Sequence, residues 1–519
     1  MRLSRIVLLA STTAALLSTT ALANQKFIDP LPTRHWNGQV TKAPYVAPPK
    51  IKSGTWSGLT HAFPGSGFPD TALLMLDGTV LMHDGCTVNW FRLTPDNAGS
   101  YKNGTWSTVG AMPSGYSPLY FASQVLPDGK LIVNGGEYLN CNAVWTNKGA
   151  IYDPATNTWT NVNPPSGWSQ IGDAQSVVLS DGTYYLADCC TTHTAHAAIS
   201  GTSVTWTEGI FGKGDVNDEE GWTQLPNQTI VTVDANRSLG VPNQVEIYSE
   251  ASGQWTTSAN KTPASCTDQG SHEIGPAPLL PNGLMFQLCG TTHTAVYNYV
   301  SDSWTAGPDL PNINGQLDSA DGPAAVLPNG HILAQVSPGV FNPPSHFIEI
   351  EVQDPNTVNI KQVSEPASAS IQASWEARML VLPTGEVLWS SDVGDVQIYT
   401  PKGKPVKAAI PKLKKIPATL TRGSTNNVAK GFGFNGLTFG GYYGDDVQTS
   451  TNYPLIRITN NSTGHVCYAK THDHNSMGIS DGSANTTKFD VPNSCETGAS
   501  TAQVVVNGIA SKAKAVTVN

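Results

Sequence analysis

Charge is what this chain has least of. Acidic and basic residues together make up 13% of its 519 residues, and 29 Lys and Arg face 39 Asp and Glu, for a formal net charge of −10. A nucleic-acid partner needs a basic surface, so that class is excluded. Long apolar runs are missing too. The nearest thing to one is the opening stretch MRLSRIVLLASTTAALLSTTALA. Two early arginines, an apolar middle and a final Ala-Leu-Ala give residues 1–23 the layout of a secretory signal peptide, cleaved after Ala23. A membrane anchor is the alternative, but the apolar core is short and diluted by Ser and Thr. A secreted or periplasmic protein with no membrane span is expected.

Zinc-finger spacing is absent among the eight cysteines, and in an exported chain these read as disulfides. Cys467 and Cys495 are the two in the C-terminal region and are expected to pair. The partners of Cys86, Cys141, Cys189, Cys190, Cys266 and Cys289 stay open: a vicinal Cys189–Cys190 bond and bridges to Cys266 or Cys289 are alternatives.

Glycine (49) and proline (36) are plentiful, which favours many short strands and turns. Some 500 residues is too long for one ordinary core unless repeats are present. They are. Seven blocks end at a turn glycine or its equivalent: TALLMLDG (Gly78), ASQVLPDG (Gly129), AQSVVLSDG (Gly182), GWTQLPNQ (Gln228), PAPLLPNG (Gly283), GPAAVLPNG (Gly330) and RMLVLPTG (Gly385). Their spacing of roughly fifty residues is the range of propeller blades. A second apolar strand follows each turn, and in several a tyrosine strand and a tryptophan strand come next, at Trp159, Trp255 and Trp304. Each unit is thus a four-stranded meander.

The seventh unit has no such tryptophan, whereas a spare SGTWSGL with Trp56 precedes the first. That segment is expected to close the last blade and leave no open sheet edge. The reading is all-β: after an N-terminal extension at 24–49, a seven-bladed propeller over 50–405, with six or eight blades as alternatives. PKGKPVKAAIPKLKKIP reads as a linker (406–417), and short alternating strands over 418–519 have the pattern of an immunoglobulin-like sandwich.

YDPATNTWT, NGG and the sandwich tail make the sequence similar to the kelch-type propellers of the galactose oxidase and glyoxal oxidase family, the copper radical oxidases. That resemblance implies a copper ion held by two tyrosines and two histidines, one tyrosine being cross-linked to a cysteine. KTHDHNSMG places His472 at a ligand histidine, and LYFASQVLPDG places Tyr120 at the cross-linked tyrosine. Pro69, after Phe68, stands in place of the cysteine, and Trp375 and Glu376 in place of the family's consecutive Tyr-His. Copper is therefore not expected, nor a working copper radical oxidase, because Cu(II) prefers imidazole in tetragonal geometry.

Residues just ahead of the innermost strands converge on one propeller face. Eight to ten positions before the turns stand Asp70, Tyr120, Asp173, Glu219 with Glu220, Glu273 after His272, Asp321, and Glu376 after Trp375. Crowded carboxylates must be protonated, paired or bound to a cation. They could be structural, capping backbone N–H groups. They could form a pocket for sugar hydroxyls or Ca²⁺, walled by Tyr120 and Trp375. Or Glu376 and Asp321 could serve a hydrolase or lyase as acid and base, with His472 as proton shuttle. His193, His196 and His293 recur at equivalent repeat positions and read as structural. The expected protein is an exported, divergent galactose-oxidase-like propeller that binds a carbohydrate or divalent cation, with polysaccharide, a small polar ligand or cell-surface components as partners. A secreted hydrolase, lyase or residual oxidase and an inert adhesion module are the contrasting readings.

Overall fold

The computed structural model describes residues 51–209, 213–235, 243–268, 270–446 and 448–519. The segments read as a signal peptide and an N-terminal extension lie outside them. Seven sheets follow one another in chain order, each opened by one of the seven blocks. The first blade is Pro69–Leu74, Val80–Asp84, Trp90–Thr94 and Thr105–Thr108, paired antiparallel in that order. The fifth blade is the leanest, its innermost strand reduced to a bridge between Leu279 and Met285.

The repeat exists because each hairpin needs a left-handed residue. Gly78, Gly129, Gly182, Gly283, Gly330 and Gly385 all have φ between 79° and 91°. Before five of these, all but Gly385, stands an Asp or Asn that accepts a hydrogen bond from the backbone two residues on, as Asp77 does from Thr79 N (3.0 Å). Gln228 takes the same conformation (φ 62°) without being glycine, so the fourth turn forms despite its missing signature.

The tryptophans stitch blade to blade. Tyr152, Tyr248 and Tyr297 lie across from Trp159, Trp255 and Trp304 in register. The indole N–H then reaches the preceding blade: Trp159 to Gly110 O (2.8 Å), Trp206 to Asn163 O (2.7 Å) and Trp255 to Tyr185 OH (2.8 Å). Closure is as expected. Thr55–Gly58 pairs with Val396–Thr400 as the outer strand of the last blade, and Trp56 donates to Ser364 O (2.6 Å) in the sixth.

The tail strands make one further sheet system around Leu413, Ile456, Ala469, Phe489, Val504 and Val516. One boundary differs from the sequence reading: Lys412–Lys415, placed in the linker, is a strand paired with Asn427–Phe432. Its lysines are exposed, but Leu413 between them is buried, so a lysine-rich run serves as an edge strand. The tail packs on the propeller face that carries the hairpin turns. Tyr468 lies against Gly78, and Thr471 N donates to Leu76 O (3.1 Å).

From there one tail segment threads the centre of the ring. Gly441–Tyr442 pairs with the inner strand Ala324–Val326 of the sixth blade. Thr449 Oγ1 donates to Met379 O (2.6 Å) in the seventh, Leu279 N to Tyr442 Oη (3.2 Å) in the fifth, and Tyr453 Oη to Leu74 O in the first. Among the described residues no helix is long and apolar enough to cross a membrane.

Candidate functional site: the acidic mouth

The face opposite the turns gathers most, not all, of the expected residues. Asp173, Glu219, Glu273 and Asp321 come from the third to sixth blades, and Asp445 joins them from the threaded tail segment. They form two carboxylate triads, Asp173/Glu219/Asp445 and Glu219/Glu273/Asp321, with ligand oxygens within 4.8 Å of one another in each. Burial, then the nearby Glu273, Asp173 and Asp445, pushes Glu219 well above the usual carboxyl range. Asp446 is raised in the same way, by burial and then by Asp445.

The backbone here is strained. Glu219 (φ 57°), Asp321 (φ 49°), Tyr120 (φ 51°) and His272 (φ 69°) are all left-handed, a conformation uncommon outside glycine and gathered at functional sites. Gly444 permits the tail segment to enter. A Cβ there would lie 2.5 Å from Asp321 Oδ1 and 2.6 Å from Ile274 O.

Beside the triads stands a residue that sequence reasoning missed. Arg378 is 2% exposed, with its guanidinium carbon 4.0 Å from the Tyr443 ring centre and 5.1 Å from that of Tyr120. Its Nη1 donates to the carbonyls of Trp375 and Ala377, both at 2.9 Å, and its Nε lies 3.9 Å from Asp70 Oδ1. Burial alone would raise Asp70, but the His83 hydrogen bond and Arg378 outweigh it and hold its carboxyl below the ordinary range. Tyr120 OH donates to Asp392 (3.4 Å), a second missed carboxylate, which burial and Asp70 push up. A cation inside an otherwise apolar strand, RMLVL, was the legible sign of Arg378. The paired acids of GYYGDD were the sign of Asp445 and Asp446.

Four expected residues do other work. Glu220 turns away from the mouth and pairs with Lys213 (3.0 Å). Glu376 caps its own turn, accepting from Ala373 N (2.9 Å). His272 donates its backbone N–H to Asp268 O (3.0 Å). His472 is not at the mouth at all. It ends the tail strand Val466–His472, pairs with Lys488, and meets Asp473 (3.3 Å) and Asp490 (3.2 Å). The motif matched in letters, but strand pairing holds the imidazole on the turn face. Tyr120 instead meets Asp392, Arg378, Trp375 and Tyr138. That setting does not fit copper, which prefers imidazole nitrogen.

Three disulfides brace the mouth loops: Cys86–Cys141, the vicinal Cys189–Cys190, and Cys266–Cys289. The fourth, Cys467–Cys495, lies in the tail core as expected. Of the repeat histidines, His196 stacks on Tyr185 and bonds Tyr248 OH (2.8 Å), while His293 bonds Asp309 (2.7 Å).

Near the mouth, burial raises Asp318 from 3.8 to about 7, only partly offset by the Ala320 N–H it accepts. A carboxyl raised on folding holds its proton in the folded state where the unfolded chain has lost it. Stability therefore falls as pH rises through the window from about 4 to about 7. Asp318→Asn is expected to add ~2 kcal/mol at pH 8 and little at pH 4, read from urea unfolding at both. Equal effects at the two pH values would contradict this.

No family profile matches the chain. A kelch-like protein, terF, of Aspergillus terreus is 27% identical over 278 residues, covering 46% of this chain and 56% of that relative. The match thus spans just over half of the relative's length. Among solved structures, a fungal alcohol oxidase of the AA5 family in complex with copper aligns at 14% identity and TM-score 0.41, covering 87% of this chain and 85% of that one. A virginiamycin B lyase from Staphylococcus aureus aligns at 8% identity and TM-score 0.45, covering 67% of this chain and 99% of that one. The sheets form a β-propeller followed by a β-sandwich tail, and the likeness to a kelch-like protein spans less than half of this chain.

Proposed function

We propose that the protein is an exported binding protein whose mouth takes a carbohydrate. The observation that carries this is where the exposed apolar side chains lie. Of the seven large apolar side chains most exposed among the described residues, five, Val144, Trp145, Phe341, Ile371 and Val393, are on the mouth face, while Val300 is in an outer hairpin and Phe432 on a tail strand. Phe341 stands edge-on to Trp375 (6.2 Å), and Trp145 lies beside Gly172, next to Asp173. Flat apolar side chains around a floor of carboxylate acceptors suit a ring with one apolar face and several hydroxyls. The braced loops lower the cost of ordering the site. Four disulfides fit an oxidising compartment, and the signal-peptide-like layout of residues 1–23 supports export.

The hydrolase alternative asks Glu376 to act with Asp321, but Glu376 is engaged in its own turn. The test is calorimetric titration with neutral gluco-, xylo- and galacto-hexasaccharides. Trp145→Ala and Phe341→Ala should each weaken binding ~10-fold with unchanged melting temperature. Unaltered affinity in both variants, or no binding of any of these sugars to the parent protein, would refute the proposal.

A further inference from the structure

We infer that the lysine-rich face of the tail sheet docks an acidic polysaccharide, a uronate polymer, at a site separate from the mouth. Between residues 396 and 444 the chain carries eight of its 29 basic residues and none of its 39 acidic ones. Six lysines fall between 402 and 415, all exposed, in a protein whose formal net charge is −10. This segment runs along the turn face: Val406 N donates to Pro328 O (2.8 Å) beside the sixth hairpin, and Asn329 Nδ2 donates to Lys402 O (3.0 Å). It then enters the tail sheet as the edge strand Lys412–Lys415, where Lys412 pairs with Phe432 and Lys415 with Lys430. Leu413 and Gly431 are paired and buried between them, so Lys412, Lys415, Lys430 and Phe432 share the outer face.

Lysines on an edge strand can serve only to discourage pairing with other chains. Two observations go beyond that role. Lys430 is on the second strand, not the edge, and stands directly opposite Lys415, with Cβ atoms about 5 Å apart. Like charges so placed repel, and no acid of this chain relieves them: among the described residues the lysines in ion pairs are Lys130, Lys213 and Lys488. Phe432 is the second observation. It is 40% exposed on this face, directly opposite Lys412. A flat ring edged by ammonium groups suits a sugar ring that bears a carboxylate. Lysine is a point charge on a flexible stem, without the planar fork by which arginine grips one phosphate or carboxylate. Such a row fits charges repeated along a polymer better than one small anion. A membrane surface would call for more apolar area than one part-buried ring. The acids of the mouth lie on the opposite face, and their repulsion is screened beyond about 8 Å at physiological salt.

The site does not depend on the mouth, so its test contains no neutral oligosaccharide. The purified protein is titrated with polygalacturonate, with dextran and with phosphatidylglycerol vesicles in about 50 mM NaCl. Saturable binding of polygalacturonate is expected, weakening ~50-fold between about 50 and about 200 mM NaCl, as for about four charge contacts. Lys412→Gln, Lys414→Gln, Lys415→Gln and Lys430→Gln combined should weaken it ~50-fold, and Phe432→Ala ~5-fold. Lys52→Gln, Lys102→Gln, Lys261→Gln and Lys361→Gln combined removes the same charge from exposed positions elsewhere and should change the affinity by less than ~3-fold. Neither set should lower the melting temperature, since every replaced side chain is exposed and the first set removes the Lys415–Lys430 repulsion. No binding of polygalacturonate, equal losses in the two quadruple variants, equally tight binding of dextran, or tighter binding of the vesicles would each overturn the proposal.

Discussion

Trp56→Ala should cost ~3 kcal/mol of stability, although Trp56 lies on a four-residue strand at the end of the described chain. Its ring is 4.8 Å from Phe347, 5.9 Å from Trp389 and 5.0 Å from Tyr399, centroid to centroid. Its indole N–H also donates to Ser364 O. Gly54 is held on both sides, its N–H donating to Tyr399 OH (2.8 Å) and its carbonyl accepting from Ser364 Oγ (3.0 Å). Removing the indole leaves a cavity at the one seam where the two ends of the ring meet. The edge of Val396–Thr400 then opens more often and offers unpaired backbone to other chains. Denaturant unfolding and limited proteolysis read the result. A loss below ~1 kcal/mol, with no new cleavage near residue 60, would show that closure does not depend on this side chain.

Lys213→Met should cost ~3–5 kcal/mol, the largest effect predicted here. Lys213 Nζ donates to Glu246 (2.8 Å), Glu220 (3.0 Å) and the Val216 carbonyl (3.2 Å), and its side chain and both carboxylates are almost wholly buried. Burial works against its charge, but Glu220 and Glu246 more than compensate and hold it protonated. Without it two buried carboxylates lose their counter-charge. Lys213→Met combined with Glu220→Gln and Glu246→Gln should recover most of the loss. If the single variant is as stable as the parent, or the triple is worse than the single, the ion cluster does not anchor this loop.

The hairpins were legible because a left-handed turn leaves a residue signature, repeated at Gly78, Gly129, Gly182, Gly283, Gly330 and Gly385. Repetition also carried position. Counting back from the turns placed Asp173, Glu219, Glu273 and Asp321 together, since equivalent residues of adjacent blades face one channel. Side-chain direction was not legible by counting. Glu219 and Glu220 are neighbours, yet one enters the mouth and the other pairs with Lys213. Segments with no repeat were hidden altogether. Asp445 and Asp446 reach the mouth through pairing of Gly441–Tyr442 with Ala324–Ala325, a contact more than a hundred residues apart in sequence. His472 failed for the opposite reason: a local motif suggested a loop, but pairing of Thr471 and His472 with Phe489 and Lys488 made it strand.

The threading of Gly441–Tyr453 through the ring has a consequence for biosynthesis. The strand that seals the circle precedes every blade in the sequence, and the tail acids that complete its centre follow every blade. A nascent or prematurely terminated polypeptide can carry every blade and still have an empty axle hole lined with like charges. Closing the ring and filling its centre thus both depend on segments that flank the blades in sequence.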